Sequence, residues 1–279
     1  MTQLGSTSRP LLIRRAQRAD LPATAELHAA LLPHGLFPRL GTGFLRRWHA
    51  TYVAGAHAVA YVAVGPRDQA AAGASRTFDG DVVGFLLGAT DQSAHVEEVI
   101  AAHRRELVLA GAGALLVRPV LAVHFLRTRA RRYLRRLRRR RPVAASTATR
   151  PTSVAAVPPV AVVTAVAVVP AVRGEGLGAS LLEMFLVEAT SAGTPAAELV
   201  TRADNDGASA FYTRLGWIAQ DVHPDHDGAM VRRFRRELGT GSSPGANRAD
   251  PDIRIDVRIR IDLGERGGQT DRGRRSERG

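Results

Sequence analysis

The 279-residue chain contains no cysteine. Disulfides, a thiolate nucleophile and cysteine-based zinc sites are therefore excluded. Lysine is missing as well: all 39 basic residues are arginine. That removes a Walker-type phosphate lysine and any Schiff-base lysine. The first ten residues, MTQLGSTSRP, lack the apolar core of a secretory signal. No run of about 18 uncharged apolar residues occurs, so no transmembrane helix is expected and a cytoplasmic location follows by default.

Acids are outnumbered, 26 against 39 basic residues, for a net charge of +13. The excess is local. Residues 127–141, RTRARRYLRRLRRRR, hold ten arginines and no acid, and the remainder of the chain is only +3. A basic footprint confined to one segment argues against a fold built as a whole to bind nucleic acid. With 45% hydrophobic residues, the chain is globular and long enough to bury one good-sized core with appended segments.

Along the chain, 1–9 reads as a loose N-terminus. Leu11–Ala16 reads as a strand, and Asp20 as the N-cap of a helix reaching about Leu32, with Pro22 tolerated in its first turn. His34–Gly41 reads as a loop. A helix over Thr42–Ala54 follows, with Phe44, Leu45, Trp48 and Tyr52 at helical spacing. Strands are expected at 57–64 and 81–88, joined by a loop or hairpin over 65–80. Residues 91–159 read as a helical, Arg-rich insertion ending in an Ala/Ser/Thr/Pro linker at 142–159. Further strands are expected at 160–169, 197–201, 217–222 and 229–238, with a short helix at 207–215 ended by Gly216. From 239 to 279 the composition shifts to Gly, Arg, Asp and Ser. There Ile253 to Leu263 alternate with charges at a period of two, compatible with an edge strand, although an unpacked tail is the expectation.

The centre of this layout is 160–192. The β-branched run Val160–Val169 reads as a buried strand stopped by Pro170. Arg173-Gly174-Glu175-Gly176-Leu177-Gly178-Ala179 then opens a helical pattern. A strand, a glycine turn and a helix in that order point free backbone N–H groups at an anion. Gly174, Gly176 and Ala179 also satisfy the loose dinucleotide pattern G-x-G-x-x-G/A. That fold wants an acid closing the next strand, whereas Glu198 opens it.

Asn205, Ala208, Phe211, Tyr212, Gly216 and Trp217 form a second motif, N-x-x-A-x-x-F-Y-x-x-x-G-W. With it, Val168, Pro170, Arg173, Gly174, Gly176 and Gly178-Ala179 fit V-x-P-x-x-R-G-x-G-x-G/A, and the chain resembles the GCN5-related N-acetyltransferase (GNAT) family. The opening IRRAQRADLPATAELH is similar to the usual family start. The resemblance covers about residues 10–90 and 160–238, within one domain spanning 10–238. It implies an α/β fold: a mixed, mostly antiparallel twisted sheet flanked by helices, here with the helical insertion between the third and fourth strands. It implies acetyl-CoA as acyl-donor cosubstrate, its pyrophosphate on the N–H groups of Arg173, Gly174, Gly176, Gly178 and Ala179. The pantetheine arm would lie along the backbone at Val166 and Val168. Tyr212 would protonate the departing thiolate, and Asn205 would hold the CoA arm. Acetyl transfer to a primary amine in a ternary complex follows, aided by proximity and by a backbone N–H facing the developing oxyanion. With no cysteine, no thiol acyl-enzyme forms.

Asp91, His95, Glu97 and His124 are candidates for the general base that the amine needs. His223-Pro224-Asp225-His226-Asp227 resembles a metal cluster, but hairpin turns favour those residues for conformational reasons, and no metal is expected. A contribution to the acceptor pocket suits these residues better. The arginine run admits an anionic membrane, a nucleic acid, or a solvated helix beside the acceptor. The alternative to an enzyme is a non-catalytic acyl-CoA-binding regulatory module with a basic tether.

Overall fold

The computed structural model describes residues 11–65, 75–77, 80–126, 158–225, 227–239 and 255–257. The arginine run at 127–141 and His226 lie outside them.

The strands are β1 (Leu11–Arg15), β2 (Ala58–Gly65), β3 (Ser75–Thr77), β4 (Gly80–Ala89), β5 (Val160–Val168), β6 (Ala196–Arg202), β7 (Ile218–Pro224), β8 (Met230–Glu237) and β9 (Ile255–Val257). The helices are α1 (Leu21–Leu31), α2 (Leu36–Arg39), α3 (Thr42–Ala54), α4 (Gln92–Leu116), α5 (Pro119–Phe125), α6 (Leu177–Ser191) and α7 (Asp206–Arg214). One sheet runs β7-β8-β6-β5-β4-β2-β1-β9, with β3 paired to β4. Every neighbouring pair is antiparallel except β5 and β6. The expected mixed, mostly antiparallel sheet is therefore present.

Helices cover both faces, which is why β2 and most of β4 are apolar on both sides. Phe85 faces α1 and α3, its ring 5.7 Å from those of His28 and His49. Gly88, three residues along, faces α6: a Cβ there would sit 2.6 Å from Phe185 Cε2 and 2.8 Å from the Val162 carbonyl. The absence of a side chain at 88 lets a phenylalanine ring lie directly on the strand.

Several boundaries differ from the sequence expectation. Leu36–Arg39 is a short helix, not loop. Gly35 (φ 87°) and Gly41 (φ 96°) turn the chain at either end of it, so one turn forms between two glycine breaks. Asp20 sits at the N-cap of α1, yet its carboxylate makes no cap bond. It is buried, takes two bonds from Arg14 (2.6 and 2.9 Å) and accepts from the Gln17 N–H at 2.7 Å. An ion pair across the preceding turn has displaced the cap. In the stretch expected as loop or hairpin, β3 forms, so α4 and α5 follow the fourth strand instead of the third. Within 239–279, Ile255–Val257 pairs antiparallel with β1.

A second apolar cluster anchors the α4–α5 hairpin. Leu40, Phe44 and Leu121 are buried together, with Leu107, Ala110, Ala114 and Leu115 of α4 packed against α2 and α3.

Candidate functional site

The site is a parting of two strands. β5 and β6 pair only from Val160/Ala196 to Val163/Leu199. Beyond that point β5 stays on β4 as far as Val168, while β6 stays on β8 as far as Arg202. A wedge-shaped gap opens between them toward their carboxyl ends. In open α/β sheets that is where ligands enter.

A bulge starts the gap. Gly88 pairs with Val163 and Leu87 with Ala165, leaving Thr164 without a partner on β4. Tyr52, buried on α3, donates from its hydroxyl to Thr164 Oγ1 at 3.2 Å. Past the bulge, Val169 donates its N–H to the Val83 carbonyl. Strand alternation therefore turns Ala165 and Ala167 toward β4, and the backbone groups of Val166 and Val168 toward the gap. The Val168 carbonyl is held by the exposed Arg173 side chain, whose Nε donates at 3.0 Å.

At the wide end lies the glycine turn. Gly174 (φ 88°) and Gly176 (φ 81°) occupy the left-handed region, which side chains resist. Gly176 caps α6 with no side-chain bond and no acid in the first turn. The first intrahelical bond is Ser180 N–H to the Gly176 carbonyl, so the N–H groups of Leu177, Gly178 and Ala179 have no acceptor among the described residues. Such a helix start binds an anion through its free donors and its dipole. Gly178 differs from the other two: a Cβ there would touch Phe211 Cζ at 3.4 Å and Val168 Cγ2 at 3.8 Å, ordinary contact distances. The contacts do show that the turn, β5 and α7 converge.

Asn205 caps α7, its Oδ1 accepting from the Ala208 N–H at 3.0 Å. Its side-chain amide NH2 has no partner among the described residues. Tyr212, two residues before the helix ends, is buried between Phe211 (5.3 Å between centroids) and Phe234 (5.5 Å). Burial pushes its hydroxyl up to about 12, so it is a proton donor throughout the neutral range.

The base candidates disperse. Asp91 caps α4, accepting from Ser93 and Ala94 N–H. Glu97 is exposed. His95 is buried, its ring 4.5 Å from that of Tyr52, and burial lowers its pKa. The His124 side chain is not described. Glu198 pairs with Arg235 (2.9 Å) on the neighbouring strand, which leaves it no ribose to hold. Asp225 shapes the β7–β8 turn by accepting from Asp227 and Ala229 N–H.

Sequence reasoning missed Tyr52 and Thr164, which lie 112 residues apart and carry no local signature. It missed Arg39 and Arg202 too. With Pro33, His34, Asp225 and Asp227 they line a groove of about 290 Å³ at the carboxyl end of β6. A larger groove, about 500 Å³, follows α6 to Arg236 and shares only Ala179 with the glycine turn.

Residues 50–217 match the family model of the acetyltransferase (GNAT) family. No curated protein matches. Solved structures with a similar arrangement include the ribosomal-protein-S18-alanine N-acetyltransferase of Escherichia coli (16% identity, 85% of this chain and 97% of that one, TM-score 0.42). Another is NAA60 of Arabidopsis thaliana in complex with acetyl-CoA (12%, 82% and 98%, TM-score 0.45). A third is Ard1 of Thermoplasma volcanium (15%, 82% and 98%, TM-score 0.43). The family match spans more than half of the sequence and takes in the bulged strand, the glycine turn and the whole Asn205–Trp217 motif. The chain belongs to the acetyltransferase (GNAT) family.

Proposed function

We propose that the chain transfers an acetyl group from acetyl-CoA to a primary amine by direct attack within a ternary complex. The observation that carries this reading is the parting of β5 and β6, with an unused backbone edge along one side and unused helix donors at its end. A bound acetyl-CoA supplies the activated thioester, and the chain's residues place it. The N–H groups at Gly174, Gly176, Gly178 and Ala179 receive the pyrophosphate; the backbone N–H of Arg173, expected among them from the sequence, instead donates to the Pro170 carbonyl at 3.2 Å and closes the preceding turn. Val166 and Val168 offer N–H and C=O groups at strand spacing, matching the amides of a pantetheine arm. Arg173 swings from the Val168 carbonyl toward the phosphates as the arm enters. Asn205 keeps α7 in place with its oxygen and reaches the arm with its amide nitrogen.

Tyr212 gives its proton to the departing thiolate. Its high pKa keeps it protonated at every pH where an amine acceptor is active, and its ring contacts hold it in one orientation. Proximity contributes much of the rate, since the amine meets a thioester already fixed against a rigid strand. The amine enters by the groove between α1–α2 and the β7–β8 turn, whose lining sets Asp225 and Asp227 beside Arg39 and Arg202.

Thiol release from acetyl-CoA, measured with a panel of amines for the wild type and Tyr212→Phe, tests this. The expectation is a fall in kcat of about tenfold or more with the Kd for CoA unchanged. If no amine elicits thiol release above the hydrolytic background, the reading fails and the chain is an acyl-CoA-binding module.

A further inference from the structure

The geometry points to a docking surface for an anionic lipid bilayer on the outer side of the α4–α5 hairpin. The inner side of that hairpin is spent on Leu40 and Phe44, which sets its rotation. Arg118, at the bend, stays exposed while its guanidinium lies over Gly41, where a Cβ would be 2.9 Å from its Nη2. Apart from Arg118, the described residues exposed between Leu109 and Leu126 carry no charge. Leu109 is 73% exposed, Leu116 84%, Val117 73% and Val120 81%, with Val123 and Leu126 more than half exposed. Leu109, Ala112, Gly113 and Leu116 follow the i, i+3, i+4, i+7 spacing of one helix stripe, which Val117 and Val120 extend around the bend.

An exposed apolar stripe on a fixed element marks an interaction surface. The charge of the chain around it selects the occupant. No aspartate or glutamate occurs between Glu106 and Glu175, and the ten arginines of 127–141 begin immediately after Leu126. An acid-free apolar stripe running directly into arginines suits an interface with hydrocarbon just below anionic headgroups. A nucleic acid would use the arginines but has no place for Leu116, Val117 and Val120. Among the described residues no helix is long and apolar enough to cross a membrane, so the hairpin lies on the surface and does not span. The inference is independent of the catalytic reading, because no residue of the gap takes part.

Co-sedimentation of the full chain with vesicles tests it, using phosphatidylcholine alone and phosphatidylcholine with phosphatidylserine at about 0.15 M salt. We expect binding at least about tenfold stronger to the phosphatidylserine vesicles. The double variant Leu116→Ser/Val120→Ser touches only exposed positions and should keep its melting temperature while losing about tenfold in vesicle affinity. Replacing the arginines of 127–141 by glutamine should abolish binding. Equal binding to both vesicle types, or none to either, overturns the proposal. So does binding that falls with the arginines but ignores Leu116 and Val120, or a duplex DNA that competes the protein off the vesicles completely at the same salt.

Discussion

Acid should unfold this protein through two histidines that no charge compensates. His49 is fully buried and His28 nearly so, between α1, α3 and Phe85. His49 Nε2 lies 3.1 Å from His28 Nδ1, and His49 Nδ1 lies 3.0 Å from Thr24 Oγ1. One shared proton per contact satisfies this chain when both rings are neutral; adding a charge to either ring costs its desolvation, and charging both sets two cations in contact. Burial lowers His28 to about 4, and burial with the neighbouring His28 lowers His49 to about 3. Both folded values lie below the unfolded value of 6.5. The stability is therefore intact above pH 6.5 and is lost as pH falls toward the folded values. Linkage at these values removes about 2 kcal/mol per histidine between pH 7.5 and 5, or about 4 kcal/mol together, with a slope at pH 5 approaching two protons. Against a total of about 5–15 kcal/mol, that is a large share. Urea unfolding followed by tryptophan fluorescence reads it, since Trp48 lies 5.6 Å from His28. With a urea slope of about 3 kcal/mol per M, the midpoint should drop by about 1.3 M over that range. His49→Gln should halve the pH slope. A wild-type slope below one proton, or an unchanged slope in His49→Gln, would refute the reasoning.

Gly88→Ala should destabilise by about 1–3 kcal/mol, because the new methyl meets Phe185 and the rigid Val162 carbonyl; a thermal melt reports it. Gly176→Ala forces a side chain to φ 81°, at about 1–2 kcal/mol, and should raise the Kd for CoA in calorimetry well beyond what Gly178→Ala does. Thr164→Val removes the acceptor of a buried tyrosine hydroxyl, an expected loss of about 1–3 kcal/mol in stability with a lower kcat from thiol release. In a pH–rate profile, Tyr212 should contribute no falling limb below about pH 11, given its pKa of about 12.

What could be read from the sequence was local. Val160–Val169, the glycines after it and the Asn205–Trp217 motif announce a strand, a turn and a capped helix because their chemistry acts within a few residues. The parting of β5 from β6 left no trace, since it depends on which partner each strand keeps beyond Val163. The Thr164 bulge was equally silent: it exists through a register shift against Leu87 and Gly88. Nothing in the local sequence marks His28 and His49, and only the packing of α1 on α3 makes them a buried pair. Asp20 shows the converse. Its position at the cap was legible, but Arg14, six residues earlier, had a stronger claim on its carboxylate.

The placement of α4 and α5 between β4 and β5 has a consequence for synthesis. β4 pairs along one edge with β2 and at its start with β3, both made before it, but most of its other edge belongs to β5, which begins 71 residues after Ala89. At about 5–20 residues per second, a nascent N-terminal half waits roughly 4–14 s with that edge of β4 unpaired. The edge carries Phe85, Leu86 and Leu87, an apolar β-forming run without charge, the kind that recruits other chains. Each doubling of the intervening loop adds only about 0.6 kcal/mol to closure, so an insertion of this size is inexpensive in the finished fold. Its burden falls on the ribosome-bound chain, as a period of exposure that a chaperone or a low expression rate must cover.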